Sequence, residues 1–497
     1  MGLEDRLGLI SYPAWLREAS SRWQGETASR DSLGEGPLVS LAVTAQRGAW
    51  NDRRAARTVE SLRQQTYPGW EAQVELPASR AAQTGFAAGD SRLRFCQYST
   101  SPQVRLDEIV RGAAGEWLMI LEVGDVLSPG LLETAITAVR DEPEADILYW
   151  DEDCLSMAGK SFAPWFKPNW SPELLLSANY LKKALFRTAL CLDALEIECE
   201  SDDDFIFRTV ESASTVIHIP RVFVHRGTAG KSNHFPFEAC NLSSVKASLI
   251  RRGISGAAVE QYKSAPVQMR WPTKELGVSI VIPTRDNLPT LRKCLDTLFE
   301  LTIYPSFEVI LLDTGSIQVE TRRYYASLVS RPQVHLHDYT GPFNYSRANN
   351  LGAGHARGEI LLFLNNDVEV IDPDWLEELV RWASRPEIGI VGGKLLHPDG
   401  TIQHAGIIIG MEGHASHVFA GQKEGATGPF GSTEWYRDYS AVTGACMAMR
   451  RQVFEEIGGF DEGYQLAFSD VEICQRAIQH GYRVMYTPFA RLIHHEG

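Results

Sequence analysis

The amino-acid sequence predicts an α/β protein made of two tandem domains, each a mostly parallel, Rossmann-like sheet covered by helices. Three observations predict it. Short β-branched or apolar runs alternate with helical stretches such as Leu291 to Leu301 and Trp375 to Ser384, the pattern of βα units. The chain resembles itself at a nearly constant offset. Its 497 residues exceed what one hydrophobic core organises.

Residues 1–37 read as a helical segment that ends in the linker Ser32-Leu33-Gly34-Glu35-Gly36-Pro37. The first α/β domain, 38–265, opens on Val39-Ser40-Leu41-Ala42-Val43, and the second, 266–497, repeats it as Val278-Ser279-Ile280-Val281-Ile282. After a similar interval, Tyr67-Pro68-Gly69-Trp70-Glu71 matches Tyr304-Pro305-Ser306-Phe307-Glu308. Gly115 to Leu121 then matches Gly358 to Leu364. Pro266 to Gly277 reads as the connection between the domains.

Composition narrows the function. With 44% hydrophobic and 22% charged residues and no biased tract, the chain is an ordinary globular protein. A net charge of −15 lacks the basic field that phosphate-backbone binding needs, which excludes nucleic acid as a partner. The start reads as no secretory signal, and no run approaches the ~18 apolar residues of a membrane span. Eight scattered cysteines without a C-x-x-C pair suit reduced thiols. The expected location is cytoplasmic, with peripheral association at the inner face of the cytoplasmic membrane compatible with it.

In the second half, three apolar runs end in polar residues: VSIVIPTRD at Thr284 to Asp286, FEVILLD at Asp313 and EILLFLNND at Asn365 to Asp367. Ligands of open parallel sheets bind outside the carboxyl ends of strands, so these residues converge on one crevice, and acids gathered there suit a cation or a hydroxyl-rich ligand. An Asp after a strand also caps helices and starts turns, as Asp-Thr-Gly-Ser at 313 to 316 could. A fourth acid, Asp470, is followed by Ile473, Cys474 and Ala477 at helical spacing, so it opens an amphipathic helix. There an ionised carboxylate is favoured and available as a base.

These blocks, with FNYSRANNLGA at 343 to 353, TIQHAGI at 401 to 407, VTGACMAMRR, GGFDE and SDVEICQRA, resemble the family-2 inverting glycosyltransferases of GT-A fold. The likeness is particularly to tandem-domain enzymes of bacterial O-antigen and related surface polysaccharide assembly, over nearly all of 38–497.

The resemblance implies transfer of a hexosyl or rhamnosyl group, with inversion, from a UDP- or dTDP-sugar to a saccharide or lipid-linked oligosaccharide. Asp313 would hold the nucleotide, with Thr284, Asp286, Asn349, Asn365 and Asn366 lining the donor site. Asp367 would be the last acid of an Asp-x-Asp signature holding Mg²⁺ or Mn²⁺, joined by His494 or His495. Asn365 stands where that signature has its first acid, which lowers the charge of the site. Asp470 matches the catalytic base. Trp435, Asp438, Gly444 and Ala445 would meet the acceptor, the last two as a small-residue floor, while for the first two ordinary loop packing is the competing reading. His404, His414 and His417 lack compact zinc-ligand spacing and read as acceptor-loop residues.

In the first half, Glu122-Val123-Gly124 occupies the place of Asn365-Asn366-Asp367, and Leu76-Pro77 falls where Asp313 stands. Asp202 still matches Asp470, and His225 lies near the His494 position. The first domain therefore reads as a degenerate transferase, against the alternatives of a bifunctional enzyme or a non-catalytic carbohydrate-binding scaffold. A dehydrogenase would need G-x-G-x-x-G after its first strand, where Pro283-Thr284-Arg285-Asp286 stands instead, and a nucleotidyltransferase a lysine-bearing glycine loop that is absent.

Overall fold

A computed structural model describes residues 11–28, 36–45, 50–76, 89–228, 235–261 and 267–495. Contacts divide the chain into a first unit, Met1–Ile254 with Thr427–Gly431, and a second, Ser255–Ala426 with Ser432–Gly497. Pro77, read as part of the lost donor site, and Pro266, read as the start of the connection, lie outside the described residues.

The first unit's sheet contains β1 (Val39–Thr44), β2 (Trp70–Glu75), β3 (Leu93–Cys96), β4 (Trp117–Glu122), β5 (Val126–Leu127), β6 (Ile147–Leu155), β7 (Ser161–Trp165), β8 (Leu185–Arg187) and β9 (Val216–Gly227). Their order is β3-β2-β1-β4-β8-β6-β9-β5, with β7 beside β6. The second unit's sheet contains β10 (Val278–Thr284), β11 (Phe307–Asp313), β12 (Val334–Asp338), β13 (Ile360–Leu364), β14 (Val368–Val370), β15 (Ile388–Leu396), β16 (Ile402–His404), β17 (Arg437–Asp438), β18 (Cys446–Arg450) and β19 (Arg483–His494). Its order, β12-β11-β10-β13-β18-β15-β19-β14, repeats the first sheet strand for strand, with β16 beside β15 and β17 beside β19. Both units are therefore α/β domains of one GT-A-like topology. β12-β11-β10-β13 run parallel, and β18 lies antiparallel to both its neighbours.

The duplication extends to single hydrogen bonds. Ser40 donates to Glu71 at 2.9 Å and accepts from the Gly115 amide at 2.8 Å. Ser279 donates to Glu308 at 2.6 Å and accepts from the Gly358 amide at 2.8 Å. Both glycines are enforced, since a Cβ would meet the Leu38 carbonyl oxygen at 2.5 Å in one and the Gly277 oxygen at 2.6 Å in the other.

The central strands are buried on both faces, which is why β10 and β13 read as unbroken apolar runs rather than alternating ones. The helix Leu288–Leu301 covers one face with Leu291, Cys294, Leu295 and Leu298, spaced for a single apolar stripe. The predicted N-terminal helix is observed as Tyr12–Ala28, and its Tyr12 hydroxyl donates to Asp153 at 2.7 Å. None of the described helices is long and apolar enough to cross a membrane.

Candidate functional site

The candidate site of the second unit lies at the carboxyl ends of β10, β11 and β13. Asp313 closes β11 and accepts from the amides of Gly315 (3.2 Å) and Ser316 (2.7 Å), so it starts the turn that the sequence also allowed. Asp286 accepts from the amides of Ile317 (3.0 Å) and Gln318 (2.9 Å), which joins the loop after β10 to the one after β11. The loop pays for this geometry in backbone strain, since Asp286 and Asn287 both have positive φ, 47° and 46°. Buried Thr284 accepts from the Asn366 side-chain amide at 3.1 Å.

One step along, Asn365, Asp367 and His494 meet. The His494 Nε2 lies 3.4 Å from Asn365 Nδ2 and 3.2 Å from Asp367 Oδ1. The ladder that pairs Val368 with His494 sets this meeting. His495 belongs elsewhere: alternation along the strand turns it to Glu369, which also pairs with Lys293 at 2.5 Å. Beneath this cluster, burial and then Asp367 push the Cys294 thiol up to about 12.

Asp470 sits in the first turn of the helix Ser469–Gln479, after Phe468 in left-handed backbone at φ 63°. The Gly444 amide donates to its Oδ2 at 3.1 Å and the Val471 amide to its Oδ1 at 2.9 Å. Tyr345 donates its hydroxyl to the Gly444 carbonyl at 2.8 Å, and its own ionisation is pushed up by burial and then by Asp470. A Cβ on Gly444 would meet that hydroxyl at 2.6 Å. The missing side chain thus makes room for the Tyr345 hydroxyl beside Asp470. Ala445 is buried, and its carbonyl accepts from the Asn365 amide at 3.1 Å.

Three further expected contacts are committed to packing. Asn349 is fully buried and donates to the Tyr345 carbonyl one helical turn back, so it fixes the helix Tyr345–His355 instead of facing a donor. Trp435 is buried at 7% exposure. Asp438 pairs with Arg483 at 2.9 Å on β17, against β19. Buried His404 accepts from the Thr443 amide at 3.4 Å and has its ionisation held well down, by burial first and then by His417 and His494. Among the described residues no group of three or more His, Cys, Asp or Glu is placed to hold a metal ion.

Sequence reasoning missed Tyr345 and the loop before Asp470. That loop exposes Tyr464 (41%), Leu466 (70%) and Phe468 (50%), an apolar pattern that a search for acids passes over.

At the matching positions the first unit carries different side chains. Gly124, at the Asp367 position, has φ +114°, and a Cβ there would meet the Arg54 Nε at 2.6 Å. Arg54 bonds the Gly227 carbonyl. Lys183 is buried between Glu122 (3.0 Å) and Asp125 (3.2 Å), and its ammonium holds Glu122 below its ordinary range. His225 is not the counterpart of His494. The ladders pair Val126 with His225 and Glu369 with Ile493, so the next residue, Arg226, takes the His494 position. His225 instead lies between Asp153 (2.6 Å) and Ser128 (3.1 Å). Trp117 pairs with Arg187 as Ile360 pairs with Arg450, and counting six residues back from each puts Leu181 at the Gly444 position.

A Rossmann-like sheet with polar and acidic residues at successive carboxyl ends, completed by a carboxylate at a helix start, defines an α/β domain with a candidate ligand site at its strand ends. Residues 279–458 match the family described as Glycosyl transferase family 2. The chain is 38% identical over 510 residues to the O-antigen biosynthesis protein RfbC of Myxococcus xanthus, across 98% of this chain and 40% of that one. It is 33% identical over 532 residues to the uncharacterized protein y4gI of Sinorhizobium fredii, across 98% of this chain and 57% of that one. The chain thus spans about half the length of these curated relatives. An N-acetylglucosaminyl-diphospho-decaprenol L-rhamnosyltransferase of Mycobacterium tuberculosis matches at 27% identity, across 44% of this chain and 75% of that one.

Proposed function

We propose that the second unit transfers a hexosyl or rhamnosyl group, with inversion, from a nucleotide-sugar to a saccharide or lipid-linked acceptor in surface-polysaccharide synthesis. The observation that carries this reading is the Gly444-Ala445 segment, which bonds Asp470 through one residue and Asn365, of the Asn365-Asp367-His494 cluster, through the next, within residues that match the family-2 model. The name of the Myxococcus relative supports the O-antigen setting, and that of the mycobacterial one supports a lipid diphosphate acceptor and a rhamnosyl donor.

Asp470 takes the acceptor hydroxyl's proton, which makes the oxygen nucleophilic enough to attack the anomeric carbon from the face opposite the diphosphate. Its two amide partners fix the carboxylate and leave its remaining lone pairs for the hydroxyl. Tyr345 acts through the Gly444 peptide and is a positioning residue. Thr284, Asp286, Asp313 and Asn366 line the nucleotide end. Exposed Tyr464, Leu466 and Phe468 supply apolar surface for the acceptor.

A carboxylate and an imidazole form a donor set that suits Mg²⁺ or Mn²⁺ completed by diphosphate oxygens, and Asn365, whose Nδ2 faces His494, would join by turning its amide oxygen to the ion. Asp367, His494 and Asn365 would hold the ion, and His495, engaged with Glu369, would not. When bound, the ion neutralises charge that develops on the departing diphosphate.

The first unit does not transfer sugar in this reading. Arg54, Lys183 and Arg226 stand around its cation position against Glu122 and Asp125, so three cations face two carboxylates and the excess positive charge opposes a divalent metal. The test is turnover of radiolabelled UDP-, dTDP- and GDP-sugars with and without Mn²⁺. Neither transfer nor hydrolysis of any donor would favour the scaffold reading.

A further inference from the structure

At the edge of the second sheet four basic side chains share a concavity of roughly 390 Å³: His335 and His337 on β12, His355 at the end of the helix Tyr345–His355, and Arg357 just beyond it. Val329, Val334 and Leu336 complete the lining. The i, i+2 spacing puts His335 and His337 on one face of the edge strand. The His337 and His355 rings stack with centroids 3.7 Å apart and planes 11° from parallel. In a chain of net charge −15, such a basic concavity is unusual.

We propose that His335, His337, His355 and Arg357 form a proton-dependent site for a phosphate-type oxyanion. Metal binding is the rival use of three imidazoles, but these side chains are not placed to hold an ion together. A tetrahedral oxyanion needs no such convergence, because it accepts from donors on several sides, and a guanidinium fork beside imidazole N–H groups provides them. Stacked imidazoles cannot both be protonated cheaply without an anion. Burial, His355 and His335 all hold the ionisation of His337 down, opposed by Asp338 at the strand end.

The acid within reach on the neighbouring strand is Glu308, 3.2 Å from His335. It is already engaged by the Ser279 hydroxyl at 2.6 Å and the Arg357 amide at 2.7 Å, so it compensates His335 and leaves His337, His355 and Arg357 for a ligand. Anion binding therefore takes up protons and tightens as pH falls.

The experiment is calorimetric titration of the full chain with sulfate, whose charge is constant over the range used, in two buffers of different ionisation enthalpy. Sulfate should bind about tenfold or more tightly at pH 6 than at pH 8, with net proton uptake. His355→Phe, which keeps a ring for the stack, and Arg357→Gln should each abolish binding without changing thermal stability or sugar transfer. Absence of sulfate binding at pH 6, or binding that neither variant weakens, would overturn the proposal. Two further arms locate the source: inorganic phosphate in solution, and sedimentation with phosphatidic acid vesicles against phosphatidylcholine vesicles. Phosphate binding with no vesicle retention supports a soluble phosphate ligand, and retention lost in His355→Phe supports a lipid headgroup. Binding in neither arm counts against the site.

Discussion

The Gly444 amide points at the Asp470 carboxylate from 3.1 Å, while the carbonyl of the same glycine accepts the Tyr345 hydroxyl at 2.8 Å. The backbone of one residue thus links the proposed base to a buried tyrosine from another element. The base is held from its own helix and from the turn before β18, which also bonds Asn365, so Asp470 and Asn365 share a support.

Replacing Asp470 with Asn keeps the shape and removes the proton acceptor. Turnover should fall by about 10²–10⁴-fold, the usual worth of a positioned general base, with donor KM little changed. Asp202→Asn, at the matching place in the first unit, should leave transfer unaltered. Steady-state kinetics on both variants decides, and equal losses would show that both units contribute.

The two neighbouring histidines make opposite predictions. His494→Gln should raise the Mn²⁺ concentration for half-maximal activity by about 10-fold or more, in the range that changes around metal sites produce. Asp367→Asn should do the same more severely. His495→Gln should leave the metal titration where it was, since His495 is turned to Glu369. A titration shifted equally by both histidine variants would remove the distinction.

The topology was legible in the sequence because duplicated strands, glycines and serines keep one offset, as Ser40 with Gly115 and Ser279 with Gly358 do. The strand-end acids were legible for the same reason: a central strand buried on both faces leaves its polar residues at its end. Three-dimensional register was not. Arg226 stands opposite the first unit's lost metal acid, yet His225 is the residue that looks like His494 along the chain. Pairing of β6 with β9 shifts register between Trp150 and Glu152, and such bulges do not show in one sequence. The Tyr345 hydroxyl beside Gly444 was not legible either, because a missing side chain does not say what packs against it.

In the first unit, Lys183→Met removes the ammonium from between Glu122 and Asp125. Breaking a buried pair on one side costs about 3–5 kcal/mol, because the carboxylates remain uncompensated. The pH dependence follows from sign. Glu122 titrates below its ordinary value when folded, so its stabilisation is complete above about pH 4.5 and is lost as pH falls below that. The variant should unfold at lower denaturant and lose less stability than the parent between pH 5 and pH 3. Denaturation of the full chain followed by tryptophan fluorescence measures both.

Gly444 and Tyr345 supply the sharpest test of the peptide link. Gly444→Ala places a Cβ 2.6 Å from a hydroxyl that burial leaves little room to move. Overpacking of this kind costs about 1–3 kcal/mol. The strain would displace either Tyr345 or the amide that holds Asp470, so turnover should fall along with thermal stability. Tyr345→Phe removes the clashing atom and one hydrogen bond, a loss of about 0.5–1.5 kcal/mol by itself. The double variant should therefore be more stable and more active than Gly444→Ala alone. A double-mutant cycle on melting temperature and kcat reads the coupling directly. If the two changes simply add in both measurements, the hydroxyl is not what confines the Gly444 peptide, and Asp470 is positioned by its own helix.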